Sequence, residues 1–367
     1  MFPLKSLTKT FFLLAIFSSV HAEAREHRWT HFGLRPLGMG NAWVAVADDY
    51  NALFYNPAGL ARLKSWDGEF LNPALEVSQK TLDIIKEIQG AGSNLFEDTS
   101  DALTFLQDHA GETHHFALAL TPHFIMKNWG FGIGLNNHFS LVTHNTINIE
   151  VEGGLNAVMP FAYAQSFFEE RLSVGVSLKM LMQMGIDHSF TLQDLNLLSK
   201  SDGLKDLLIA GRGFGVDVGF LFTPMKPMEP TLGVSLVDVG GTSFDEIGSF
   251  GKVSRPPPVR RPAFNTGISL KPIQSGGMYL LTAVDAHILN QPVHYSHKLN
   301  LGLEFGYSEI IKLQLGLKEG YGTAGFQFDV GLLNIRMVTY AVDHAPLVGS
   351  HDKLVERRIA LQLKLLI

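Results

Sequence analysis

The chain has 367 residues, 46% of them hydrophobic and only 17% charged, with 36 Gly, 26 Phe, no Cys and a formal net charge of -6. A mean hydropathy of +0.13 is high for a soluble enzyme, yet past the N-terminus no uncharged apolar run reaches the roughly 18 residues of a spanning helix, which excludes a polytopic helical membrane protein. The acidity argues against nucleic acid as a partner, and the absence of Cys removes disulfide scaffolds, thiol nucleophiles and thiolate metal sites.

Lys5 and Lys9 form a positive start, Phe11 to Val20 an apolar stretch, and Ala22 supplies the small residue a signal peptidase needs. Residues 1–22 therefore read as a cleavable signal peptide, the apolar stretch being too short for an anchor helix. Residues 23–64 follow with no sustained period but with too many apolar side chains for a free tail. A compact plug would bury Trp43, Val44, Val46, Leu53 and Phe54, with glycines 33, 38 and 40 at tight turns. A leading strand or a periplasmic arm is the alternative.

This segment carries Leu37-Gly-Met-Gly40, Ala45-Val-Ala-Asp-Asp49 and Asn56-Pro-Ala-Gly-Leu60. Together these resemble the N-terminal signature of FadL-type outer-membrane transporters, and their spacing is close to the PorV group of that superfamily. The resemblance implies an all-β fold, a transmembrane antiparallel β-barrel of about 14 strands with an N-terminal hatch or plug, and passage of hydrophobic molecules such as long-chain fatty acids. It carries onto Gly38, Gly40, Asp48, Asp49, Asn56, Pro57, Ala58 and Gly59 as the hatch motif. Read physically, Asn56 is pushed out of the helical region by Pro57, freeing its side chain to serve a turn, while Asp48 and Asp49 can cap a turn or pair with a lumenal Lys or Arg.

From residue 65 to 367 the period is two. Leu172, Val174, Val176, Leu178 and Met180 alternate with Ser173, Gly175, Ser177 and Lys179; Phe214 to Phe222 and Leu299 to Phe305 repeat the code. About fourteen strands, most longer than the roughly 5 to 6 residues of soluble strands, read as a barrel. Connections alternate in length: long at 78–112, short at 124–128, longer at 144–153, short at 168–170, long at 190–212, short at 224–229 and long at 240–261. Short periplasmic turns against longer external loops are the pattern of outer-membrane barrels. Lys179, Asp217, Glu304, Lys312, Gln314 and Lys364 fall on the inner face, where they are expected to fill and pair. The chain ends in Ile367 where assembly signals usually finish with Phe, although Ile359, Leu361, Leu363 and Leu365 keep the alternation.

Two long loops carry apolar residues at helical spacing. Leu204, Leu207 and Leu208, with Arg260 and Arg261 beside Pro256-Pro-Pro258, form a candidate surface for external ligand capture; packing alone would also account for the leucines. In the third strand Asn137 interrupts a lipid-facing series and Asn136 precedes it, after Gly130, Gly132 and Gly134. A bulge there, turning Asn137 inward, would mark a lateral gate; an Asn137 solvated at the membrane rim is the other reading. His114-His115 and His294-Tyr-Ser-His297 lack partnered carboxylates at a ligand spacing, and no nucleophile elbow, Walker or dinucleotide motif occurs, so no metal, cofactor or enzymatic activity is expected. The expected partners are outer-membrane lipid, the barrel-assembly machinery and a hydrophobic ligand, or secreted proteins if the barrel is instead a PorV-like docking or shuttle component.

Overall fold

The computed structural model describes residues 33–81, 83, 108–145, 148–191, 207–225, 228–247, 255–292, 295–331, 333–344 and 355–365. Eighteen segments form one antiparallel sheet that closes on itself, and they make fourteen strands because four strands are each split in two. In chain order these are β1 (Asp67–Glu69 and Ala74–Ser78), β2 (Thr113–Leu120 and His123–Met126), β3 (Trp129–Gly132 and Gly134–Asn145), β4 (Asn148–Phe167) and β5 (Leu172–Phe190). Then come β6 (Leu208–Phe222), β7 (Thr231–Val237 and Phe244–Glu246), β8 (Ala263–Ser275), β9 (Met278–Ala286) and β10 (Leu299–Tyr307). The last four are β11 (Ile311–Lys318), β12 (Tyr321–Asp329), β13 (Leu333–Asp343) and β14 (Val355–Leu365). Each strand pairs with the next, and Arg358 to Gln362 of β14 pair with Ser78 to Ala74 of β1 to close the ring. Closure leaves no unpaired edge for lipid to face.

The period-two code sets the two surfaces. Val176, Leu178, Phe220, Phe222, Leu303 and Phe305 are exposed on the outside, whereas Ser173, Ser177, Lys179, Asp217, Asn300 and Glu304 are buried within. Trp129, Phe161, Tyr163, Phe167, Phe222 and Tyr307 lie exposed toward the end of the short turns, where aromatic rings suit a membrane interface.

Three loop assignments need correction, one of them 190–212, whose last five residues, 208–212, belong to β6. Residues 144–153 are mostly strand: β3 runs to Asn145 and β4 starts at Asn148, because Ile149 and Val151 continue the outward series while Glu152 sits opposite Ser140 on the inner side. Residues 240–261 contain a further short strand, Phe244–Glu246, which extends β7 along β6.

The first three strands are broken side by side, at residues 70–73, 121–122 and 133. Pro73 and Pro122 have no N–H for a ladder. At the third break, Pro160 of β4 stands between the paired residues Val158 and Phe161 and offers no donor; Ile133 donates instead to the Pro122 carbonyl at 2.8 Å.

Residues 33–63 fold as two short helices, α1 (Leu34–Gly38) and α2 (Ala52–Tyr55), and a 3-10 helix at Pro57–Arg62. They fill the core of the molecule. Trp43, Val44, Val46, Leu53 and Phe54 are all buried, and all but Val44 share one cluster with Met39, Tyr55, Leu60 and Leu281 of β9.

Candidate functional site

The N-terminal segment lies closer to the wall than side chains would allow. A Cβ on Gly316 of β11 would sit 2.2 Å from the Gly40 nitrogen, one on Gly219 of β6 2.0 Å from Asn56 Oδ1, and one on Gly233 of β7 2.5 Å from the Val44 carbonyl oxygen. Gly175 of β5 and Gly302 of β10 meet the backbone of residues 57–58 and 39 in the same way. The polar-face glycines of the strands are therefore a seat for the segment. Gly130 and Gly132 of β3 belong to it: their Cβ atoms would meet Leu53 at 2.9 and 3.1 Å, so these glycines serve close packing rather than bending.

The hatch motif is bonded chiefly to itself and to the wall. Asn56 Nδ2 donates to the carbonyls of Val44 (2.8 Å), Phe220 (3.2 Å) and Val234 (3.3 Å), while its Oδ1 accepts from the Ala58 N–H at 3.2 Å and caps the 3-10 helix that Pro57 begins. A Cβ on Gly59 would lie 1.9 Å from the Ala47 carbonyl oxygen. Gly40 adopts φ 62 and donates its N–H to Thr323 Oγ1 at 3.0 Å; that hydroxyl in turn donates to the Gly38 carbonyl at 2.9 Å. Asp285 of β9 accepts from the N–H groups of Trp43 and Val44 at 2.6 and 2.7 Å. Each of these contacts is a structural bond.

Arg35 organises the acidic half of the motif. Its Nε and Nη2 donate to both oxygens of Glu304 at 2.8 and 2.7 Å, and Nη1 reaches Asp48 at 2.8 Å and Asp49 at 3.1 Å. The guanidinium also lies 4.6 Å from the centre of the Trp43 ring. Burial lowers the Arg35 pKa, but Asp48, Glu304 and Asp49 outweigh it and hold the group well above its usual range. Asp48 and Asp49 are expected from sequence to cap a turn or to pair with a lumenal Lys or Arg; Asp49 Oδ1 accepts from the Asn51 N–H at 2.9 Å, and the cation is Arg35 of the segment itself, while the wall supplies the carboxylate of Glu304.

The remaining inner charges also pair. Lys179 meets Asp217 at 2.7 Å and Asp238 at 3.0 Å, Gln314 donates to Glu304 at 3.0 Å, Lys312 meets Glu309 at 2.8 Å, and Lys364 meets Glu69 at 2.9 Å. Among the described residues, Asp67, Glu69 and His123 bring ligand atoms within 4.8 Å of one another. Lys364 and Arg336, the latter 3.5 Å from Glu69, already compensate those carboxylates, so the group reads as an ion-pair network at the β1 break.

Arg62, at the other end of the segment, is different. Its Nε lies 3.4 Å from Ser173 Oγ and its Nη1 3.4 Å from Thr231 Oγ1, while Nη2 is buried without a partner. Burial pushes its pKa down to about 10, with Glu229 and Glu170 compensating only in part. Those two carboxylates are engaged elsewhere, Glu229 with Lys271 at 3.1 Å and Glu170 with Lys127 at 2.8 Å.

The two asparagines of β3 keep a regular ladder. Asn136 and Asn137 pair with Asn156 and Leu155 on one side and Ala119 and Leu118 on the other without a register shift. Asn137 stays on the outer face; the break in β3 lies at Ile133, where proline chemistry in the neighbouring strands removes ladder bonds. Leu204 lies outside the described residues. Leu207 is buried, Leu208 starts β6, and Arg260 bonds through its backbone to Thr242 and lies 5.8 Å from the Phe244 ring centre, so Leu207 and Arg260 are committed to packing. Arg261 is half-buried in the same loop.

No protein-family model matches the chain, and no curated protein matches it in sequence. Solved structures do. The CymD monoaromatic hydrocarbon channel is similar with a TM-score of 0.53 and 13% identity over 93% of this chain and 99% of that one. The fold is that of a FadL-type outer-membrane channel. The Pseudomonas putida toluene transporter TodX is also similar to this chain, at a TM-score of 0.49 and 11% identity over 90% and 96% of the two chains. A Pseudomonas aeruginosa FadL homologue gives a TM-score of 0.35 and 9% identity over 90% and 97%.

Proposed function

We propose that this barrel lies in the outer membrane and carries hydrophobic small molecules through it passively, with long-chain fatty acids as the substrate class and residues 23–64 as the hatch that controls passage. The observation that carries this reading is the combination of an apolar outer wall with an interior occupied by a separately bonded segment in a fold shared with a hydrocarbon channel. The segment rests on a glycine seat by discrete bonds and packs Leu37, Trp43 and Leu53 against wall side chains, so passage would require it to shift as a body. The adjacent breaks at Pro73, Pro122 and Ile133 are the place where the wall would part to let an apolar ligand leave sideways, with Asn137 marking the rim above. Export by a signal peptide over residues 1–22 and insertion by the barrel-assembly machinery belong to the same proposal.

Deleting the gene and measuring long-chain fatty-acid uptake beside the release of surface proteins tests it. Reduced uptake with unchanged release supports transport. Unchanged uptake with impaired release supports the PorV-like docking role instead.

A further inference from the structure

Where residues 33–63 leave the barrel core, four hydroxyls from four places in the wall gather around one arginine. Ser166 comes from β4, Ser173 from β5, Thr223 from the end of β6 and Thr231 from β7. Ser166 and Ser173 lie 3.0 Å apart, and Thr223 and Thr231 2.7 Å apart. Arg62 stands between the two pairs, within 3.4 Å of Ser173 and of Thr231. Residues just before it are buried and residues 64–66 are exposed, so the cluster sits at the mouth of the short-turn end.

This composition is unusual for the interior of this molecule. Arg35, Arg336 and Arg358 each hold at least one carboxylate, and Lys179 holds two. Arg62 has only neutral oxygens, at long distances, and one buried nitrogen with no partner at all. A half-buried guanidinium with one shielded nitrogen and no carboxylate in ion-pair contact carries a desolvation cost, and the fork geometry of its donors fits a planar carboxylate. The nearby Glu229 and Glu170 would repel an anion if they were free, but lysines neutralise both.

We propose that Arg62, Ser173 and Thr231 form an oxyanion site that takes the carboxylate of an apolar ligand at the short-turn mouth. The inference rests on the transport reading and narrows it: the ligand is an amphiphile with an acidic head, and a pure hydrocarbon would leave this site unused. The guanidinium supplies charge and two donors and Ser173 can turn its hydroxyl hydrogen to the head group, while Thr231, whose hydroxyl donates to the Glu229 carbonyl at 3.1 Å, accepts from the guanidinium and orients it.

The test is calorimetric titration of the purified full-length barrel in a neutral detergent with laurate, with dodecanol and with inorganic phosphate, beside uptake of dodecanol into proteoliposomes. The expected result is that Arg62→Gln weakens laurate binding about tenfold or more, the scale of a lost charge-assisted hydrogen bond, and leaves dodecanol binding unchanged. Arg62→Lys, which keeps the charge but not the fork, loses less. Heat-modifiable migration of each variant confirms the folded barrel, and Thr231→Val gives a second, milder perturbation that should weaken laurate in the same direction. Equal laurate affinity in wild type and Arg62→Gln overturns the site while dodecanol uptake leaves transport standing. Phosphate binding as tight as laurate overturns the assignment to an acidic amphiphile, and a wild-type barrel that admits neither probe overturns both readings.

Discussion

Each end of the N-terminal segment carries an arginine, Arg35 buried and Arg62 half-buried, and the two are treated oppositely. Arg35 is enclosed by three carboxylates, one of them the fully buried Glu304 on β10, while Arg62 meets two hydroxyls at 3.4 Å and feels Glu229 and Glu170 without ion-pair contact. Both sit in a low-dielectric surrounding that disfavours a lone charge. The difference teaches what each end is for. A charge fully compensated inside the protein holds parts together, and a charge left uncompensated at an opening is disposed to meet something that arrives.

Breaking the first end should have the largest effect. Arg35→Ala strands Glu304 in the interior, and loss of one partner of a buried pair typically costs about 3 to 5 kcal/mol. Urea unfolding of the barrel in lipid should show that fall, and Arg35→Ala combined with Glu304→Ala should cost less than the sum of the two single changes. Additive costs would show that the pair does not act as a latch. The seat is the next place to strike. Gly316→Val puts a side chain 2.2 Å from the Gly40 nitrogen, a backbone atom that cannot move alone, and overpacking of this kind costs about 1 to 3 kcal/mol. The wall itself is not crowded from outside, so the barrel should still migrate heat-modifiably while its conductance in planar bilayers rises. Unchanged conductance would mean that the segment does not obstruct the lumen.

A smaller effect is expected at the motif asparagine. Asn56→Ala removes a helix cap and three bonds to carbonyls, two of them on β6 and β7, which together should cost about 1 to 2 kcal/mol. Limited proteolysis of residues 33–63 should become faster, with the strands still protected. Equal cleavage rates would place the anchoring elsewhere.

The strand pattern was readable because outward positions are mostly apolar and inward positions mostly polar or small: Leu178 against Lys179 and Phe305 against Glu304 state the rule residue by residue. Even so, residues 144–153 read as a loop, since Glu150, Glu152 and paired glycines look like turn chemistry until Ile149 and Val151 are seen to share a face. The inner glycines were visible but not their purpose, because close approach of a distant backbone leaves no local signal. Arg35 escaped notice for the same reason: its partner Glu304 is 269 residues away, and no periodicity links them. Arg62 carries no motif at all. What marks it is a missing partner, and that can be seen only when the surrounding side chains are in place.

The smallest expected change in stability is therefore the most informative one. Arg62 makes two long bonds to hydroxyls that also bond to other groups, Ser173 to Ser166 and Thr231 to Thr223, so removing the guanidinium leaves neither hydroxyl stranded. Removing a half-buried charge that no carboxylate contacts also relieves a desolvation cost. The two contributions oppose each other, and Arg62→Gln should change the unfolding free energy by no more than about 0.5 kcal/mol, against several for Arg35→Ala under the same conditions. Urea titrations of the two variants in one lipid preparation compare them directly. A loss at Arg62 approaching that at Arg35 would make both ends structural, and the contrast between a closed charge and an open one would not hold.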